Sequence, residues 1–234
     1  MAETGSAIAA LVRHGAYHQQ PGAPSARQPH PLTDTGQAQA LACGDELAGM
    51  LETHGLALDP VIHCSMQLRA WQTAEAIAER LRAHGSKVDE IRETSALAER
   101  GLGSAANLTV AQIEAVLAAD PRHAPPPPGW KSDSHYRLPL EGAESLNDAG
   151  ARVAGHLRAV IEGDPRPGRL TVFVGHGASF RHASHHLGVL GAAEIAGLSM
   201  FHARPLLLCY NPRDSWRHFA GAWKVRARTE DPAD

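Results

Sequence analysis

The sequence predicts an α/β fold: a three-layer α/β/α sandwich with a mostly parallel central sheet and a small inserted cap. Three observations predict it. The runs Ala7–Val12 and Leu170–Val174 are short and almost wholly apolar, the signature of strands covered on both faces. Between and around them, strand-like runs alternate with helical patterns, the rhythm of βαβ units. One proline-rich segment, Asp120 to Glu141, interrupts that rhythm and marks the insertion.

Taken in order, Ala7–Val12 is the first strand. Thr33–Gly55 is a helix, with Thr33 or Asp34 as N-cap and Gly55 as terminator. Pro60–Cys64 is a short strand, and Leu68–His84 a helix with Ala70, Thr73, Ala74, Ile77 and Leu81 on one face. Val88–Arg92 is a third strand, Thr109–Ala119 and Glu144–Glu162 are helices, and Leu170–Val174 leads into a helix over Ala178–Leu187. Pro205–Tyr210 and His218–Val225 read as two late strands joined by the turn residues Asn211-Pro212-Arg213-Asp214. Within the interruption, Pro121 and Pro125–Pro128 bar a helix, so the segment is an extended excursion carrying Trp130, Lys131, His135, Tyr136 and Arg137. Its aromatic and cationic groups are expected to project over the site.

With 234 residues and 43% hydrophobic content, the chain can bury one substantial core, and no internal repeat is visible. We read it as a single domain over 1–234, with cap elements near 16–31 and 100–145. A formal net charge of −3 disfavours a general nucleic-acid or membrane-surface partner, so any anion must be recognised locally. Cys43, Cys64 and Cys209 form no metal or redox spacing and read as reduced thiols of a cytoplasmic protein. No stretch reaches the length of a membrane span or reads as a cleaved leader. A homodimer stays open.

The chemistry gathers at two strand ends. Arg13-His14-Gly15 closes the first strand and Gly175-His176-Gly177 closes Leu170–Val174, so the fold delivers two histidines and an arginine to one sheet edge as an anion site. Adding Pro31 to Ala38, Ser65 to Ala74 and Glu99 in the same order, the chain resembles the histidine phosphatase superfamily, whose fold is phosphoglycerate-mutase-like.

The resemblance implies catalytic roles for His14, Glu99, Arg13, Arg69 and His176. His14 would attack phosphorus to give a phosphohistidine, dividing one displacement into two. Arg13, Arg69 and His176 would hold the phosphoryl oxygens, and Glu99 would protonate the leaving oxygen and then activate water. Gly177 and Gln20, which stands where many members carry asparagine, complete the expected phosphate contacts, and Arg137 would bind a remote part of the substrate. No cofactor and no metal is implied.

Departures from the family pattern bear on substrate. Ser104-Ala105-Ala106-Asn107 replaces the tryptophan-rich segment that often follows the acid, and the tyrosine typical of glycerate mutases is missing. The expected function is therefore a metal-independent phosphomonoesterase acting on a small phosphorylated metabolite. The alternatives are a phosphomutase of the same superfamily, a protein phosphatase, or a phosphate-binding module. Arg-His-Gly-x-Tyr-His and Ser65-Met66 show a partial likeness to mutase-like serine/threonine protein phosphatases. His182, His185 and His186 share a helix face without an accompanying carboxylate cluster and read as a capping or solvated row; Trp216 and Trp223 read as core or cap positions.

Overall fold

The computed structural model of the protein describes residues 6–226; both ends of the expected 1–234 domain lie outside that range. Among these residues, six strands form one sheet in the order β3-β2-β4-β1-β6-β7. β1 (Ala7–Arg13), β4 (Arg169–Gly175), β2 (Ala57–Ser65) and β3 (Glu90–Thr94) run parallel, while β6 (Pro205–Asn211) is antiparallel to β1 and to β7 (Ser215–Ala220). The sheet is the expected mostly parallel one.

β1 is central because every one of its residues is buried. Ile8, Ala10 and Val12 face a cluster with Leu47, Ile77 and Leu81 from α1 (Asp34–His54) and α2 (Leu68–Ala83). Ala7, Ala9 and Leu11 face a second cluster with Val153, Leu157 and Phe180 from α4 (Leu146–Ile161) and α5 (Gly177–His186). The period-2 alternation of a strand thus feeds both layers of helices at once.

The helix ends follow local chemistry. Thr33 accepts a hydrogen bond from the Gly36 amide at the start of α1, and Gly55 closes it in the left-handed region at φ 63°. Thr109–Gln112 and Ser145–Asp148 form capping boxes on α3 (Val110–Ala119) and α4. α4 starts two residues later than Glu144 because that carboxylate is turned to the Gly101 amide and Arg152.

Three strands depart from expectation, of which β3 lies two residues later than Val88–Arg92. β2 extends back to Ala57, with its register to β4 shifting between Leu58 and Ile62; proline at position 60 cannot donate to the ladder, and the irregularity accommodates it. The last expected strand divides. β7 starts at Ser215 and stops at Ala220, because Gly221 turns away at φ 81°, where a Cβ would collide with the Pro205 carbonyl. Lys224–Val225 (β8) then pairs instead with Leu198–Ser199 (β5), which follows α6 (Ala192–Gly197).

The inserted cap has a small core of its own. Ala26, Leu102, Ala105, Ile113, Leu117, Trp130 and Leu138 cluster apart from the two main clusters. Trp130, expected to project with its neighbours over the site, is instead packed into this core: the indole is 2% exposed and its Nε1–H donates to Glu114.

Candidate active site

The register Arg13↔Gly175 between parallel neighbours, with the His14 amide donating to the Gly175 carbonyl at 2.9 Å, brings both histidine-bearing tips to the C-terminal edge of the sheet. That edge is where α/β sheets bind ligands. The loop after His14 is held by close backbone approach. A Cβ on Gly15 would meet the Gly36 carbonyl, and one on Gly36 would overlap the Ala16 carbonyl. The Gly15 amide also donates to Thr73 Oγ1 at 3.1 Å.

Hydrogen bonding defines the tautomer of His14. Its Nδ1 lies 2.8 Å from the Gly15 carbonyl, which can only accept, so Nδ1 carries the proton and Nε2 keeps its lone pair. Burial and then the charge of Arg69, with His176 and Arg13 behind it, hold His14 well below its ordinary pKa of 6.5. The ring is therefore neutral at neutral pH.

Arg69 is fully buried at the start of α2 and organises the site. Its Nε–H donates to His14 Nε2 at 3.1 Å; its terminal nitrogens donate to the carbonyls of Gln28 and Ala26, each at 2.9 Å. A second bond reaches His176 Nδ1 at 3.3 Å, leaving His176 Nε2–H to donate to Ser65 Oγ at 2.9 Å. The guanidinium also sits 4.4 Å over the Tyr17 ring, a cation–π contact. Burial lowers its pKa, but a guanidinium stays charged. His176 is likewise held well below 6.5, by burial and then by Arg69 and Arg13.

Arg13 is buried, donates to the Met200 carbonyl at 3.1 Å, and passes so close to Gly177 that a Cβ there would come within 3.0 Å of its Cδ. Gly177 opens α5, whose N-terminus has no side-chain cap, so its first amides are available to an anion at the strand end. Glu99 is 8% exposed and accepts a hydrogen bond from the Arg100 amide at 2.9 Å; its charge reaches Arg69.

The structure thus brings Arg13, His14, Arg69 and His176 together. It does not bring Arg137 there. Gln20 is exposed, and its backbone amide donates to the buried Gln28 side chain. Arg137 is pulled to Asp148 of the α4 capping box at 2.7 Å, because that carboxylate sits at the end of the cap. Sequence reasoning assigned no role to Ser65, Gln28 or His202, whose ring lies 5.7 Å from His14 and whose pKa burial lowers to about 3. Ser65 stood inside a recognised motif; Gln28 and His202 carry no local signal. His182 bonds Ala178 and Ser134, His185 bonds Leu190, and His186 bonds Asn147, so this row braces the helix. Among the described residues no group of three or more His, Cys, Asp or Glu side chains could hold a metal ion.

A neutral imidazole lone pair, two buried guanidiniums and an uncapped helix N-terminus converge on one point, an arrangement suited to a tetrahedral oxyanion. The model of the histidine phosphatase superfamily (branch 1) matches residues 9–216. The chain belongs to the histidine phosphatase superfamily. Its relatives within that superfamily include a 2,3-bisphosphoglycerate-dependent phosphoglycerate mutase of Mycobacterium tuberculosis, 31% identical over 194 residues, covering 75% of this chain and 74% of the mutase. A mutase of the same description from Sphingopyxis alaskensis is 28% identical over 191 residues, covering 75% and 80%. Among solved structures, a mycobacterial glucosyl-3-phosphoglycerate phosphatase in complex with VO3 superposes with a TM-score of 0.63 at 27% identity, covering 92% of this chain and 97% of that one. The native form of a phosphatase so described matches at 0.67 and 24% identity, over 94% and 98%, and shows the shared fold. Membership in this superfamily and phosphatase neighbours support phosphatase or mutase activity. No helix among the described residues is long and apolar enough to cross a membrane.

Proposed function

We propose that this histidine phosphatase is a metal-independent phosphomonoesterase that hydrolyses a small phosphorylated metabolite through a phosphohistidine. The observation that carries the reading is the His14 tautomer: Gly15 fixes the proton on Nδ1, and the Nε2 lone pair lies among Arg69, Arg13 and His176. An ester phosphate entering this cage takes over the Arg69 hydrogen bond, so Nε2 is released as the guanidinium turns to the phosphoryl oxygens. Nε2 attacks phosphorus, the P–O ester bond breaks, and the proton that Glu99 takes up as the phosphate's negative charge enters beside it passes to the leaving oxygen. Glu99, now a carboxylate, takes a proton from water, which attacks the phosphohistidine and releases inorganic phosphate and His14.

A second reading, phosphomutase, is favoured by the mutase relatives. The two differ in what accepts the phosphoryl group from His14, water or a second hydroxyl. Assay of purified protein without added metal against sugar phosphates, phosphoglycerates, nucleotides and phosphopeptides tests the proposal. Release of inorganic phosphate from a small ester supports it; isomerisation of phosphoglycerate without net release overturns it in favour of the mutase. The three cysteines are all buried and free, and we place the enzyme in the reducing cytosol.

A further inference from the structure

Beside the phosphoryl cage lies a half-open cleft enclosing about 520 Å³ of space, open solvent included. Glu99 forms part of its wall, whereas His14, Arg13, Arg69 and His176 do not. The acid therefore borders this compartment, while its charge also acts on Arg69 of the cage. Four cationic side chains line that compartment, Arg100, Lys131, Arg181 and Arg226, against the single carboxylate of Glu99. They come from four separate elements: the loop after β3, the cap, α5 and the segment after β8. In a chain of net charge −3 this is a marked local excess of positive charge.

Arg181 shows what the excess is suited to. Its side chain is 4% exposed, and one terminal nitrogen donates to the Leu198 carbonyl at 2.6 Å, while its Nε is buried with no hydrogen-bond partner. A buried donor of a charged group left unmade costs free energy, and an anion in the adjoining cavity would relieve it. Burial and then the charge of Arg226 push the Arg181 pKa down to about 10, with Glu99 opposing them. Arg100 is preset: it is buried, its amide is held by Glu99, and its guanidinium lies 5.9 Å over the ring of Trp130, itself fixed in the cap core.

We propose that this cavity binds a second oxyanion of the substrate, so that the metabolite is a phosphate ester carrying another anionic group, with Arg181, Arg226 and Lys131 setting that specificity. The proposal rests on the phosphomonoesterase reading and names its substrate class. The transferred phosphate sits on the strand ends, the ester oxygen lies next to Glu99, and the remote anion reaches past Glu99 to the arginines. This replaces Arg137 as the source of remote binding, since Arg137 is committed to Asp148.

The test uses three small esters matched in size. Glycerol 3-phosphate has no second anion, 3-phosphoglycerate has a carboxylate, and propane-1,3-diol bisphosphate has a second phosphate. For the wild-type enzyme, kcat/KM is expected to exceed that for glycerol 3-phosphate by at least about tenfold with one of the two dianionic-type esters, the size of effect of a charge-assisted hydrogen bond. Which of the two is favoured separates carboxylate from phosphate. Arg226→Met and Lys131→Met, which keep the apolar stems, should each shrink that ratio, mainly through KM. Calorimetric titration of the His14→Ala protein with the same three compounds reads binding independently of turnover. Equal affinity for all three, or a selectivity that both variants leave intact, overturns the second-anion site even if hydrolysis is observed. Tighter binding of a doubly anionic ester with no phosphate released from any ester supports the cavity and rejects the phosphatase reading.

Discussion

Arg69 donates from Nε to the Nε2 of His14 at 3.1 Å, on the nitrogen opposite the one that Gly15 holds. One side chain therefore adds its charge to the burial that keeps the imidazole neutral, and orients the ring by its bond. The same guanidinium is fixed by two loop carbonyls, Gln28 and Ala26, so the cap element near 16–31 helps to set the position of the nucleophile.

Arg69→Lys should expose this dual role. An ammonium cannot span His14, His176 and the two carbonyls with one planar fork. We expect kcat to fall by roughly 10²–10³-fold, with a smaller change in KM, since the lost contacts strengthen as charge develops on the phosphoryl group. Steady-state kinetics on a small ester check this; a variant altered only in KM would show that Arg69 serves ground-state binding alone.

His14→Ala should abolish both hydrolysis and any acid-labile phosphoenzyme. The residue is buried but sits past the last paired position of β1, and its ring packs on Tyr17, His176 and His202 outside the two main core clusters, so the fold should persist by circular dichroism. Quenching a reaction with radiolabelled ester in alkaline detergent, followed by gel analysis under alkaline conditions with and without prior acid treatment, reads the intermediate directly. Turnover at the wild-type rate would sink the nucleophile assignment.

The parts of the site that were legible in the sequence are those whose chemistry and fold position share one short motif. Arg13-His14-Gly15 and Gly175-His176-Gly177 could be placed because a strand end and its glycine are read together, and Arg69 because the helix begins within its motif. Gln28 and His202 reach the site only through tertiary contact, from a loop lacking regular structure and from the link between β5 and β6. Arg137 misled for a related reason: a cation beside a proline run has many partners, and Asp148, needed for a helix cap, captured it. The division of the last strand was signalled by Gly221, whose positive φ only the folded chain reveals.

Acid should destabilise the protein earlier than carboxylate titration alone would. Burial holds His63 and His182 at about 4 and His202 at about 3. These histidines are neutral in the fold, whereas the unfolded chain takes up their protons near 6.5, so stability is full above that pH and is lost as pH falls from about 6.5 toward 4. His63 also faces His156, at 5.3 Å between rings, and Arg92, both of which oppose its charging, while Asp59 and Glu90 favour it. Chemical denaturation at a series of pH values should give a slope in this window that is shallower for His63→Asn. An unchanged slope would assign the acid sensitivity elsewhere.

Activity should survive chelation. Neither the strand-end histidines nor the row on α5 forms a metal shell, since His182, His185 and His186 each spend a ring nitrogen on a backbone carbonyl. Protein dialysed against EDTA is expected to keep its full rate of phosphate release. Loss of activity restored by a divalent ion would overturn the metal-independent mechanism.

Two glycines of the same helix should respond to alanine in opposite directions. On propensity alone, Gly→Ala inside α1 stabilises by about 0.5–1 kcal/mol, by restricting the unfolded chain. At Gly49 a Cβ meets nothing within 4 Å, so Gly49→Ala should show that gain. Gly36 lies in the first turn, and there a Cβ would overlap the Ala16 carbonyl, which also accepts from the Thr33 amide at 3.0 Å. Both contacting groups are backbone, and neither can move without shifting Ala16 away from α1. We expect Gly36→Ala to lose about 1–3 kcal/mol, the range for overpacking in a tight site. The displacement passes across a single peptide bond to Gly15, whose carbonyl fixes the His14 tautomer, so kcat should fall as well, although the substitution touches no substrate. Thermal melts and kinetics of the two variants side by side decide the matter. A Gly36→Ala enzyme as stable and as active as Gly49→Ala would show that the loop after β1 yields freely and does not position His14.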